Sequence, residues 1–450
     1  MRKGDLHRRL VLLATVLLTM FWVNSPAWST NLLEVYRLAR NNDPIFEAAR
    51  YTLDAAEQKI PEARAGLLPT VNMNGNDLYN NASTTFDPSP TMSRNVHTWT
   101  WTLQLIQPLI RMQNLFAYQE SEYLVEQAMA QFDQAKQDLI LRVVQTYFGV
   151  VSAQEGIAAA EAQVIAMEEQ LAQSTHGYQA GTHAVTDVYE ARSRLDLATA
   201  QLVAARNDLA SKRADLEKIV GPVSYPLAML RPAVVIPKPQ PNDIQAWTNQ
   251  AQENNPTVRA QKAALAVAEA EIRRSRAEHL PTLDLTASYG KSYSSGSLTT
   301  PTDYTTAVTS HQAGVQFNIP IFAGGGTTAR VTKAIANKFK VRADMDTARR
   351  QVIADARQAY AGIENGLSQV EALESTVDSS KSSVKGNRAG FKLGIRMNID
   401  VLNAEQQLYA AKSDLVKARY DALFQGFKLK AAAGILAVSD VAEISAQLEN

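Results

Sequence analysis

The chain is written twice, and that duplication restricts its fold more than any other feature. NNDPIFEAAR at 41–50 answers to NNPTVRAQKA at 254–263, RAGLLPTVNMNG at 64–75 to RAEHLPTLDLTA at 276–287, and Gln107-Pro108-Leu109 to Ile319-Pro320-Ile321. Pro44 and Pro256, Pro69 and Pro281, and Pro108 and Pro320 are each 212 residues apart. Gly181 and Gly394, Asp187 and Asp400, Arg206 and Arg419, and Gly221 and Gly434 are each 213 apart. One offset with a single one-residue step marks a repeated unit. Between the copies, GPVSYPLAMLRPAVVIPKPQPN (221–242) carries six prolines and reads as an extended linker.

Each copy predicts the same order of elements. A helix (31–65; 242–279) breaks near Leu-Pro-Thr, and two strands follow (68–79 and 97–107; 281–293 and 311–321). A very long helix then ends at a break at Gly181 or Gly394, and a return helix completes the unit. In TWTWTLQLIQP (98–108), Trp99, Trp101, Leu103 and Leu105 alternate with Thr98, Thr100, Thr102 and Gln104, the period of a two-faced strand. In the second copy Leu283, Leu285, Val315, Phe317 and Ile319 are the apolar set. Along the long helices apolar residues recur at three and four. Examples are Val150, Ala153, Ile157, Ala160, Val164, Met167 and Leu171, and on a return helix Val401, Ala404, Leu408, Ala411 and Leu415. That is the seam of an antiparallel coiled coil. A helix over 112–177 would run about 100 Å, and the two shorter helices of its copy, placed end to end, would span a similar length.

The expected organisation is a secretory signal at 1–29, a first repeat at 30–220, a linker at 221–241, a second repeat at 242–435 and a tail at 436–450. The signal rests on Arg2, Lys3, Arg8 and Arg9 before the apolar run Leu10–Val23, and on the small-residue site Ala27-Trp28-Ser29. The 450 residues contain no cysteine, which excludes disulfides, thiolate metal sites and a lipid anchored on cysteine. Lys plus Arg and Asp plus Glu both number 45, and the basic residues are scattered, which argues against nucleic acid as a partner.

No later segment is long and apolar enough for a membrane helix, so any entry into a bilayer must use strands closed into a barrel. Four strands from one chain cannot close. Barrels in lipid have about eight strands or more, so further copies would have to supply the rest, and three copies would leave a lumen. The face of Trp99, Trp101, Leu103 and Phe317 would then meet lipid. A small soluble sheet lying over the helices would show the same alternation.

The constellation resembles the TolC family of outer membrane channel proteins over about 30–440. It is carried by TNLLEVYRLARNNDP, RAGLLPT, HLPTLDLTASYG, FNIPIFAGG, AGTHAVTDVYEAR and GIRMNIDVLNAEQQLYAAK. The resemblance implies a mainly α chain with a small transmembrane β part, forming a homotrimer with a twelve-strand barrel on a helical tunnel. It implies an exit duct for type I protein secretion or multidrug efflux, located in the outer membrane and crossing the periplasm. The partners implied are a periplasmic adaptor and an inner-membrane ABC or proton-driven pump.

In the resemblance, Thr186 and Asp187 match the gate pair at the periplasmic end, and Arg396 matches the arginine that binds the threonine of a neighbouring helix pair. Phe391 falls where the family has a gate tyrosine, so that hydroxyl link is expected to be missing or replaced, and Tyr178, the equivalent position of the first repeat, is one residue that could supply a hydroxyl. Asp400 matches the first of two lumen carboxylates. The second position is Asn403, predicting one acidic ring and weaker cation selectivity. Adaptor docking is implied around the turns at Gly181 and Gly394. Thr186 and Asp187 are also residue types that cap helices.

No metal or cofactor site is expected from the six histidines, and His176 and His183 read as solvated residues flanking a turn. FAGGGTT (322–328) lacks the lysine of a phosphate loop and reads as a strand-to-helix turn. No catalytic constellation is legible, so an enzyme is not expected. The rival reading is an exported structural or adhesive coiled-coil surface protein.

Overall fold

The computed structural model describes residues 30–448 apart from 86, 89, 224–225, 232–235 and 301–303, so the proposed signal segment lies outside the described residues. The first repeat contributes α1 (Leu32–Asn42), α2 (Pro44–Glu57), α3 (Lys59–Ala65), β1 (Thr70–Thr84), β2 (Met92–Ile110), α4 (Met112–Gln179) and α5 (Val185–Val220). The second contributes α6 (Ile244–Asn254), α7 (Pro256–Ala277), β3 (Thr282–Ser294), β4 (Thr306–Asn318), α8 (Gly326–Lys392) and α9 (Asn398–Ala432), followed by α10 (Val438–Ser445).

The single opening helix expected in each copy is interrupted by proline. Asp43 and Asn255, 212 residues apart, end the first helices with extended ψ values of 114° and 127°, because the ring of the next residue disfavours the helical conformation before it. Asp43 is buried, pairs with Arg142 and accepts from Ile45 N–H at 3.2 Å. A further break at Gln58 separates α2 from α3. β1 starts at Thr70 and runs on to Thr84 instead of 68–79, β3 starts at Thr282 beside the expected 281, β4 ends at Asn318 short of 321, and β2 and β4 begin earlier than the alternation suggested, at Met92 and Thr306. Backbone pairing extends them into residues such as Ser93, Asn95, Thr306 and Thr309 that polarity alone assigns to loops.

The chain forms two compact units that cut across the repeats. One comprises Ala49–Gln134 and Pro256–Gln351, and the other the described parts of Met1–Ala48, Ala135–Asn255 and Val352–Asn450. The first unit holds an antiparallel sheet in the order β1-β2-β3-β4, in which β2 of one repeat pairs with β3 of the other. Within it, α7 is pinned to neighbouring helices by ion pairs: Arg274 to Glu120 (3.1 Å) and Arg259 to Asp133 (3.1 Å) on α4, and Lys338 of α8 to Glu269 (2.9 Å). These pairs are partly exposed and contribute at most about 1 kcal/mol each.

The second unit contains α5, α9 and the later parts of α4 and α8, from Ala135 and Val352, as two helical hairpins, and its buried residues follow the heptad seams. Ala191, Ala198, Leu209 and Leu216 are buried on α5, and Val401, Ala404, Leu408 and Ala411 on α9. Met167, Ala198 and Leu402 form one cluster joining both hairpins, while Val377, Leu408 and Ala411 form another. Within the proline-rich segment Leu227 and Ala228 are buried, and Tyr147 donates its hydroxyl to Ala228 O at 2.7 Å. After Ala432, Gly434 adopts φ 73°, and α10 folds back with Val441 and Ile444 buried and Asp440 paired to Lys430 at 2.7 Å.

Candidate functional site

Two places carry chemistry beyond packing, one in each unit. In the sheet, cross-strand register sorts side chains onto two faces. Asp77–Trp99–Tyr293, Gly75–Trp101–Lys291, Met73–Leu103–Tyr289 and Val71–Leu105–Ala287 are rows of one face, continued by Leu285–Val315 and Leu283–Phe317. The opposite face carries Asn76–Thr100–Ser292, Asn74–Thr102–Gly290 and Asn72–Gln104–Ser288. The register thus places all four sequence-predicted positions, Trp99, Trp101, Leu103 and Phe317, on the same apolar face.

Trp99 stacks on Tyr293 at 5.8 Å between ring centres, and Trp101 meets Tyr289 edge-on at 5.3 Å. At the end of this face Asp77 pairs with His97 at 2.5 Å. Phe317 is 62% exposed and Met73 70%, so this apolar face is uncovered in the single chain. Among the described residues the outer edges of β1 and β4 have no strand beside them.

At the ends of the hairpins, the two turns are copies of one another. Thr182 N–H and His183 N–H donate to Gly177 O at 2.9 and 3.2 Å, and Ile395 N–H and Arg396 N–H donate to Gly390 O at the same two distances. Gly181 and Gly394 both adopt φ 73°, the left-handed conformation that closes such a helix end. Around the second turn Leu393, Ile395 and Met397 are exposed, and around the first Tyr178 and Tyr189.

Asp187 and Asp400 start the return helices in the same way, accepting from Ala184 N–H at 3.3 Å and from Met397 N–H at 3.2 Å. Both carboxylates therefore cap helix N-termini, where the helix dipole favours negative charge. Thr186 stands exposed on the first turn of α5. Arg396 lies 3.9 Å from Asp400 on its own turn, a pair made within one hairpin. Asn403 is exposed and not isolated: Arg194 of α5 donates to its Oδ1 at 3.0 Å and to Gln406 Oε1 at 2.7 Å. A cation thus stands where the sequence alone shows only a missing acid.

His183 corrects the expectation of a solvated turn residue. It is half-buried, and its ring lies against Phe391, with centres 5.1 Å apart. The sequence reading also missed a polar hub. Asn398, at 2% exposure, accepts from Gln170 and donates to Ser174 Oγ (3.2 Å) and Asp187 O (3.3 Å), joining α4, α5 and α9. Ser174 continues the seam of Val164, Met167 and Leu171, and a polar residue on an apolar seam was the available signal.

Deeper in the same unit Glu405, 1% exposed, accepts from Arg388 Nε at 2.7 Å, while its Oε2 has no hydrogen-bond partner among the described residues. Burial raises its carboxyl above the ordinary value, against the lowering effect of Arg388.

Among the described residues no helix is long and apolar enough to cross a membrane. No group of three or more His, Cys, Asp and Glu residues is placed to hold a metal among the described residues.

A duplicated chain of long helical hairpins with a small, two-faced antiparallel sheet defines the class of outer membrane channel proteins. A family profile described as "Outer membrane efflux protein" matches residues 35–222 and 247–435, and the chain belongs to this family. It is 32% identical over 429 residues to the alkaline protease secretion protein AprF of Pseudomonas aeruginosa, covering 93% of this chain and 88% of that one. It is 32% identical over 433 residues to the outer membrane protein TolC of Escherichia coli (94% and 86%). Among solved structures, CusC is similar at a TM-score of 0.77 with 17% identity, covering 90% of this chain and 92% of that one. The Campylobacter jejuni outer membrane channel CmeC matches at 0.77 with 18% identity (94% and 90%). The protein is an outer membrane channel of the efflux and secretion type, from a family of transport ducts rather than enzymes.

Proposed function

We propose that three copies of the chain form a closed duct that carries polypeptide cargo out of the cell, loaded by a periplasmic adaptor and an inner-membrane ABC pump. The observation that carries this is the four-stranded sheet with one apolar face, one polar face and two edges unpaired among the described residues. Bare strand edges are not tolerated in lipid, and a single four-stranded sheet cannot close on itself. Three copies give twelve strands, with Trp99, Trp101, Leu103 and Phe317 toward lipid and the Asn, Thr, Ser and Gln face lining water.

The same reading assigns the periplasmic entrance to the hairpin turns. Thr186, Asp187, Phe391 and Arg396 form the gate, and Asp400 with Asn403 forms the constriction. The exposed apolar residues around Gly181 and Gly394 form the surface offered to the adaptor. Capping and gating are compatible for Asp187 and Asp400, because a cap uses one carboxylate oxygen and leaves the other to a neighbour.

Polypeptide cargo is supported by near full-length similarity to two proteins named for protease secretion: AprF and, at 29% identity over 452 residues covering 98% of this chain, PrtF of Dickeya chrysanthemi. Small-molecule efflux is the second reading. It is favoured by the family's description and by the similarity over 55% of this chain to the outer membrane efflux protein BepC of Brucella suis.

The test is to purify the mature chain in detergent, measure its mass by light scattering and record conductance in a planar bilayer. The expected result is a particle of three copies that conducts ions. A water-soluble monomer needing no detergent and passing no current would overturn the duct and favour the surface coiled-coil reading.

A further inference from the structure

We propose that His183 is a positioning residue of the entrance, a ring that ties the turn of the α4–α5 hairpin to the end of α8 where the hydroxyl link is missing. This deepens the gate reading and rests on it. The ring sits between two features that fix it. On one side lies Phe391, with ring centres 5.1 Å apart and planes inclined by 42°. On the other lies the backbone of α4 at Gly177, where an added Cβ would fall 2.0 Å from Nδ1 of the imidazole. Gly177 lies inside the last turns of α4, where glycine is an unfavourable choice for a helix. The seat for the ring accounts for it.

The seat is made by contact. Nδ1 is buried without a hydrogen-bond partner among the described residues, and the ring is held by the turn itself through the donation of His183 N–H to Gly177 O at 3.2 Å. The repeat supplies a comparison within the molecule. Arg396 stands 213 residues from His183 and folds over Gly390 in the same manner, with its Cγ 2.7 Å from where a Cβ would be. Its guanidinium then continues to Asp400 on its own hairpin. One turn therefore carries a cation that stays within its hairpin, and the other a flat ring that reaches across to the second hairpin. Any opening that moves the two hairpin tips apart must break the His183–Phe391 contact.

The experiment compares single-channel recordings of the purified trimer with those of His183→Ala, Phe391→Ala and Gly177→Ala. Loss of a ring–ring contact is expected to raise open-state occupancy roughly two- to tenfold. Gly177→Ala should reproduce His183→Ala, since it expels the ring without removing it, and His183→Phe should stay near wild type. Because the chain has no cysteine, His183→Cys with Phe391→Cys, joined by a short thiol cross-linker, should hold the low-conductance state until a cleavable linker is cut.

Unchanged occupancy in both His183→Ala and Phe391→Ala would overturn the proposal, as would a cross-linked double variant that opens like wild type. Absence of current from the wild-type trimer itself would instead overturn the duct.

Discussion

Residues proposed for the gate and constriction already have partners within one chain. Asp187 and Asp400 cap helices within one chain, while Asn403 is occupied by Arg194. This changes the expectation for restoring a second acidic ring. Asn403→Asp alone should raise cation selectivity only modestly, because the new carboxylate inherits Arg194 as its counter-ion. Asn403→Asp with Arg194→Gln should raise it clearly further. Reversal potentials in a salt gradient would show this, and equal selectivity in the two variants would reject it.

Glu405 gives a second expectation at this scale. Its carboxyl is raised by burial, so the folded state holds the proton more tightly than the unfolded chain. Its stabilising contribution is complete below the ordinary value of 4.5 and is lost as pH climbs through the raised one. Glu405→Gln, which cannot ionise, should therefore gain thermal stability relative to wild type as pH rises above 4.5, with the difference levelling off at higher pH. Melting curves by circular dichroism across that range would check it, and a pH-independent difference would contradict it.

Elements differ in how far sequence defines them. The long helices follow from their seams, because a heptad stripe has to be covered by another helix and its period survives in the sequence. The breaks at Asp43 and Asn255 were legible as Asn-Asp-Pro and Asn-Asn-Pro, yet the sequence reading ran one helix through each, giving periodicity more weight than proline. The strand extensions over Ser93–Asn95 and Thr306–Thr309 were not legible, since polar side chains are compatible with loop or strand and only pairing decides.

The sheet makes a prediction as an element. Leu103→Arg on the apolar face should destabilise the folded barrel by about 2–4 kcal/mol if that face lies near the bilayer midplane, whereas Gln104→Arg on the other face should cost little. Denaturant unfolding in lipid vesicles would measure both. Equal costs would argue against lipid on the Leu103 face.

For the whole molecule, the duplication and alternating strands determined the architecture. Repeated sequence demands repeated elements, and a period of two or of three-and-four dictates which face must be covered. The sequence also marked both tip turns, since glycine at Gly181 and Gly394 answers a backbone need that few other residues meet.

Tertiary structure alone decided three things. It set the side-by-side order of the two repeats in one sheet, the division into compact units that ignores the repeat boundary, and the partners of His183, Asn398, Arg194 and Glu405. The reason is the same in each case. Periodicity encodes the direction in which a side chain points along its own element, but contact between residues as distant as Arg194 and Asn403 depends on how separate elements are brought together, and no local pattern records it.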